Sequence, residues 1–371
     1  MTSKRFVITF AILAIAALAV ISLTWVAVYQ GRVVDQGVIR IGVIGIFSGD
    51  YAGYGVPMKN AIELYVGEVN ENGGIDGRQV ELILEDNAGD ATMAASAFNK
   101  LIYVDNVDYI LSAQGSGLAS VVSPVAQENE RILMITLGSA PGLAKTGDYV
   151  FRSVPSDAYQ AVKMNEFLAE GLGARKVAVL YTDDAYGDGI KSKINEDGNF
   201  QVVVNEVFEQ NAVDFRTQLL KIKQSGADAL VIVAHTEYGS IMKQVTELDL
   251  DITIVASETF KGGEILSSVG SSGEGVYITF MKGSTDHFNF AKKYSARFGE
   301  EPSAFSMYAY DGAVALIEAI GSGDDVESVR SELYDVSFSG ASGDVGFDRD
   351  GDRTGTEYSI YVVRGGEFVL V

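Results

Sequence analysis

Asp108–Leu118 reads Asp-Tyr-Ile-Leu-Ser-Ala-Gln-Gly-Ser-Gly-Leu. The apolar run Tyr109–Ala113 predicts a buried strand and Gln114–Gly117 a loop of small residues. Leu118, Val121, Val122 and Val125 then recur at helical spacing. A strand, a tight Gly-Ser-Gly loop and a helix start leave free backbone N–H groups and one hydroxyl aimed at a spot above the sheet. That spot suits an anionic group, a carboxylate as well as a phosphate. No general base, thiol or metal cluster stands beside the loop. It therefore reads as a ligand clamp, although the same residues also suit an ordinary strand-to-helix turn.

Upstream, Val38–Ile46 is nearly all apolar, which predicts a strand covered on both faces of a parallel sheet. A Gly- and Tyr-rich loop, Phe47–Gly55, follows, and Pro57 marks the expected start of a helix. Its apolar stripe is Met58, Ala61, Ile62, Tyr65, Val66 and Val69, and Gly73-Gly74 ends it. Val80–Leu84 predicts a strand, Ala91–Leu101 a helix capped by Asp90, and Ile132–Ile135 a fourth strand. The order β-α-β-α-β-α-β implies a doubly wound parallel sheet. After Tyr149–Val154 the alternation restarts, with strands at Lys176–Tyr181, Val202–Phe208, Ala229–Ala234 and Ile252–Ser257 separated by helical segments. The fold class is thus α/β, with two doubly wound parallel-sheet lobes. Gly275–Lys282 is a further strand, three helices follow between His287 and Tyr334, and two strands, Tyr358–Val363 and Phe368–Val371, close the chain.

The 371 residues suffice for two such lobes, and 47% hydrophobic residues suffice for their cores. A formal net charge of −22 disfavours nucleic acid as a partner, and also docking along an anionic membrane face. With no cysteine, disulfides, thiolate nucleophiles, Cys-zinc sites and lipid attachment through an N-terminal cysteine are excluded. Lys4 and Arg5 precede Phe6–Tyr29, a 24-residue stretch without charge, about 36 Å long as a helix and enough to cross a bilayer. Residues 1–36 are expected to be a signal anchor and tether, with the bulk of the chain outside the cell. The rival is a signal peptide cleaved near Ala17-Leu18-Ala19, leaving a secreted or periplasmic protein.

An ordered set of short stretches resembles one family. It comprises Ile39–Val43, Ser48-Gly49, Tyr54-Gly55, Asn70–Gly77, Glu85–Asn87, Ile132–Thr136, Val150–Arg152, Tyr186-Gly187 and Phe347-Asp348. From about Val38 to its end the chain is similar to the type I periplasmic binding proteins, in particular the branch that binds leucine, isoleucine and valine. The resemblance implies two lobes, residues 38–155 plus 284–340 and residues 156–283 plus 341–371. They would be joined by three crossings near Ser153–Asp157, Val276–Ser284 and Phe338–Ser342. It implies hinge closure on a small-molecule ligand, read by an ABC importer through its permease or by a receptor. The protein would be an extracytoplasmic monomer attached to the membrane only through its N-terminal helix, and not an enzyme.

The resemblance also carries residue roles. Ser116 and Gly117 match the loop that meets the ligand carboxylate. Ser139 matches a hydroxyl near the head group, with Gly138 and Ala140 as alternatives because the loop is shorter here. Tyr54 and Tyr186 match aromatic walls, Glu258 the acid that holds the ligand ammonium, and Phe305 an apolar neighbour. His235 stands where the family often has tyrosine, which leaves the side-chain preference open. An amide, urea or aromatic acid is the alternative ligand, and a sensory ectodomain the alternative role. No cofactor or metal is expected. Asp344, Asp348, Asp350 and Asp352 imitate a calcium loop but lack its closing glutamate, so a turn is expected. Asp183-Asp184 reads as solvated charge.

Overall fold

The computed structural model describes residues 37–261, 265–282, 287–323 and 325–371. The anchor expected at Phe6–Tyr29 lies outside the described residues, and so does the end of the passage expected at Val276–Ser284. Among the described residues no helix is long and apolar enough to cross a membrane.

β1 (Ile39–Gly45) is the strand about which the first sheet grows. Ile41, Val43 and Ile44 are wholly buried, as a strand covered on both faces requires. It leads into α1 (Ala52–Glu71), β2 (Val80–Asp86), α2 (Ala91–Tyr103), β3 (Tyr109–Ala113), α3 (Ser116–Glu128), β4 (Ile132–Ile135) and β5 (Val150–Arg152). The order is β2-β1-β3-β4-β5 and every pairing is parallel. Asp90 caps α2 as expected, its side chain accepting the Met93 N–H.

The second sheet follows through α4 (Asp157–Glu166), β6 (Lys176–Thr182), α5 (Ala185–Asp197), β7 (Gln201–Phe208), α6 (Arg216–Ser225), β8 (Ala229–Val233), α7 (Tyr238–Glu247), β9 (Thr253–Ala256), α8 (Ile265–Val269) and β10 (Tyr277–Met281). α9 (His287–Phe298), α10 (Ser306–Ser322) and α11 (Val326–Asp335) come next, then the hairpin β11 (Ser337–Gly340) and β12 (Gly343–Gly346). The last strands, β13 (Tyr358–Arg364) and β14 (Glu367–Leu370), join the second sheet antiparallel to β10 and to each other. The order there is β14-β13-β10-β9-β8-β6-β7. α10 packs on α1, and both share one core with the inner face of the first sheet, where Met58, Ile62, Ala309 and Leu316 are buried.

Three details depart from the sequence reading. α1 begins at Ala52, so Pro57 lies inside it rather than at its start. The N–H that proline lacks would have met the carbonyl of Gly53, an exposed residue, so solvent can take that bond. The helix approaches β1 so closely that a Cβ on Gly55 would lie 2.1 Å from the Ile46 carbonyl oxygen. Second, Ser116 and Gly117 form the first turn of α3, with Gly115 as its N-cap, so the loop after β3 is shorter than expected. Third, the chain forms the β11–β12 hairpin around Phe338–Ser342, which the sequence reading did not include. It then runs along β5, where the Arg152 N–H meets the Gly351 carbonyl at 3.0 Å and Arg152 bridges to Asp352. Two buried arginines fix this run. Arg152 pairs with Asp352 at 2.6 Å, and Arg353 donates to the carbonyls of Ser153 and Asp344. Asp348 accepts the N–H groups of Asp350 and Asp352, which makes the acidic segment a turn. Among the described residues no cluster could hold a metal ion.

Candidate functional site

The loops that leave the carboxyl ends of β1, β3 and β4 face those that leave β6, β7, β8 and β9. Between them is a cavity of about 430 Å³, within the size range of small-molecule sites in open α/β folds. Tyr54, Ser116, Gly117, Ser139, Tyr186, His235, Glu258 and Phe305 all line it. Gly138 and Ala140 do not, whereas Ser139 does, with Leu137 of the same loop.

One wall is built for an anion. The N–H groups of Ser116 and Gly117, in the first turn of α3, have no helical carbonyl to meet. The Ser116 Oγ accepts the N–H groups of Ser139 and Ala140, both at 3.1 Å. Its lone pairs thus hold the neighbouring loop and its own proton stays available to an acceptor. A Cβ on Gly117 would touch nothing within 4 Å, because it would stand in the cavity.

The facing wall is built for a cation. Glu258, which opens a short 3₁₀ turn after β9, is 2% exposed and lines the cavity. The Tyr358 hydroxyl donates to its Oε2 at 3.3 Å. Burial, and then the charge of Asp157, push the Glu258 pKa well above the ordinary carboxylate range. Asp157, at the start of α4, is fully buried, and neither carboxylate oxygen has a hydrogen-bond partner of good geometry among the described residues. Burial raises it to about 7, against the pull of Ser139 and Arg152. The guanidinium of Arg152 is already engaged by the Ala140 carbonyl and Asp352. With Arg152 engaged elsewhere, Glu258, the acid of the two that lines the cavity, could take an ammonium group. Asp157 was not singled out from the sequence, because an aspartate after Ser156 looks like any helix start.

Aromatic rings close the sides. Tyr54 packs on Phe305 at 5.6 Å between centroids, and Tyr186 stacks on His235 at 5.1 Å. The Tyr186 hydroxyl meets Thr259 Oγ1, which joins a buried network with Tyr238 and Ser257. Asp184 corrects the reading of Asp183-Asp184 as solvated charge. It caps α5 through the Gly187 N–H and contacts His235 Nε2 at 2.6 Å, whereas Asp183 is exposed. Burial alone would lower His235, but the hydrogen bond to Asp184 outweighs it and raises its pKa. The same contact holds Asp184 below its ordinary value despite burial. Two hydrogen bonds span the cavity mouth from first-sheet loop to second, Tyr51 hydroxyl to Asn211 Oδ1 at 3.0 Å and Tyr54 hydroxyl to the His235 carbonyl at 3.1 Å.

The sequence profile of a family described as periplasmic binding protein matches residues 38–367. A "Leu/Ile/Val-binding protein homolog 2" of Brucella abortus (strain 2308) is 29% identical over 342 residues, which cover 89% of this chain and 91% of the relative. The structure of a branched-chain amino acid transporter substrate binding protein from Streptococcus pneumoniae, in complex with isoleucine, superposes with a TM-score of 0.82 at 28% identity. That match covers 90% of this chain and 99% of the other. A solute binding protein from R. palustris in complex with benzoate shares the fold at 18% identity, with a TM-score of 0.81 and coverage of 90% and 96%.

Proposed function

Since the chain belongs to the periplasmic binding protein family, we propose that it is an extracytoplasmic solute-binding protein that captures an amino acid or similar small zwitterion for an ABC importer. The observation that carries this reading is the pairing of opposed sockets in one cavity. Unpaired N–H groups and a hydroxyl proton at Ser116 and Gly117 stand on one side, and the buried acid Glu258, which feels the charge of Asp157, on the other. A carboxylate and an ammonium on one carbon, as in an α-amino acid, answer both. An aromatic acid without an amine would bring another negative charge into the cavity and leave the buried Glu258 without a cation, which argues against that class.

The mechanism is capture. The ligand carboxylate docks on the first turn of α3, its ammonium meets the carboxylate of Glu258, and Tyr54, Tyr186 and Phe305 enclose the side chain. Closing the two sets of loops expels water and strengthens each charged contact. Lobes at residues 38–155 plus 284–340 and 156–283 plus 341–371, hinged at the crossings, would give that motion, and residues 1–36 would hold the protein at the membrane. Branched-chain amino acids are the first ligands to test, because the relatives named above carry them in their names. Calorimetric titration of the protein with α-amino acids and with their des-amino carboxylates checks the reading. Micromolar or tighter binding that vanishes with the amine is expected, and equal binding of the two series would refute it.

A further inference from the structure

His235 lines the cavity and is pinned on several sides. Its Nε2 meets Asp184, its ring stacks on Tyr186 and takes the edge of Tyr51 at 5.9 Å, and its backbone N–H donates to Glu237. Asp184 is pinned in turn by the Gly187 N–H and by the Gln210 amide. Asp157, fully buried with neither oxygen partnered among the described residues, lies close enough to feel the charges of both. The wall beyond the head group is therefore a hydrogen-bonded histidine–aspartate pair held in a fixed place. Asp183, Glu209 and Gln210 continue it toward the mouth. Among the described lining residues acids outnumber bases, and neither lysine nor arginine is present.

We infer that this wall selects an amino acid whose side chain ends in a nitrogen donor, an amide, guanidinium or ammonium, rather than a branched alkyl group. The inference rests on the amino-acid reading above and narrows it. A branched alkyl group pressed against the His235–Asp184 pair would strip water from both without offering a hydrogen bond, which is costly. A nitrogen donor meets the carboxylates of Asp183 and Glu209, which line the cavity beside the pair. Sites built to hydrogen-bond a ligand group reject analogues that lack it far more strongly than apolar pockets sort by size.

The test is calorimetric titration of the full chain with glutamine, asparagine, arginine and lysine against leucine, isoleucine and valine. At least one nitrogen-bearing ligand should bind tenfold or more tighter than leucine. Comparing the amides with the cations shows which donor is preferred. His235→Leu should shift the preference toward leucine by tenfold or more, and Asp184→Asn should weaken the nitrogen-bearing ligands alone. Wild-type binding of leucine equal to or tighter than all four would overturn the inference and leave the amino-acid reading standing. Failure of every α-amino acid to bind would overturn both. The wild-type comparison decides even if a variant fails to fold.

Discussion

Glu258→Gln keeps the shape of the side chain and removes its charge. In the bound state the ligand ammonium would lose its nearest carboxylate in a socket where Glu258 is only 2% exposed and water cannot substitute. Removing one side of a buried charge pair costs about 2–5 kcal/mol, or roughly 30- to 5,000-fold in Kd at about 1.4 kcal/mol per decade. Asp157 sets where in that range the variant should fall. It is close enough to raise the Glu258 pKa and its charge would still act on the ammonium from behind the cavity wall, so the lower part, about 30- to 300-fold, is expected. The same neighbour predicts the opposite effect on the empty protein. Neutralising one of two crowded acids relieves their repulsion, so ligand-free Glu258→Gln should melt no lower than wild type. Calorimetry with the tightest α-amino acid, paired with thermal unfolding without ligand, measures both. A Kd within threefold of wild type in a folded variant would refute the ammonium socket. A much lower melting temperature would refute the claim that the acid pair is strained when empty.

Three further outcomes are expected. Asp157, raised to about 7, and Glu258 hold protons more tightly in the folded chain than in the unfolded one, and so does His235. The stability they lend is full below their unfolded values and is lost as pH rises through the folded ones. The ligand-free protein should thus melt lower at about pH 7.5 than at about pH 5, and ligand binding near pH 7 should release protons. A melting temperature that climbs over that interval, or an enthalpy independent of buffer, would contradict this. Gly117→Val places its side chain in open cavity space, so circular dichroism and melting should stay close to wild type while titration shows affinity reduced at least tenfold. Tyr51→Phe removes the hydroxyl that bridges the mouth to Asn211. One hydrogen bond of about 0.5–1.5 kcal/mol should speed ligand release about 2- to 12-fold in stopped-flow displacement, and an unchanged rate would show that the bridge does not hold the closed form.

The strands were legible because burial on both faces of a parallel sheet demands long apolar runs, as at Val38–Ile46 and Ala229–Ala234. The eight candidate residues share one cavity because each follows a strand's carboxyl end or opens a helix beside it, positions that the chain order and the family resemblance both mark. Asp184 and Asp157 escaped because an acid that caps a helix and an acid that faces a ligand occupy the same kind of position in sequence. The difference is burial, which depends on segments far away. The β11–β12 hairpin escaped for another reason. Ser337–Gly346 is short and rich in glycine and serine, and its register comes from Asp311 and Arg353 gripping the turn through Ser342 rather than from alternating apolar residues.

The placement of α10 and β13 has a consequence for how the protein is made. A growing chain that has emerged only through β5 has no cover for the inner face of α1, since Tyr308, Ala309 and Leu316 arrive from the far end of the sequence. The second sheet waits longer still, because β10 has one neighbour until the final strands appear. Neither half can finish its core until these late segments have been made, so the apolar faces stay open while the segments before them emerge. Contacts this distant in sequence form slowly and leave such surfaces available to other proteins meanwhile. For a chain carried across a membrane unfolded, as the extracytoplasmic role proposed above would allow, that delay would be useful. Folding could not lock until β13 and β14 were through, and a chain cut short before β13 would be unable to complete its second sheet.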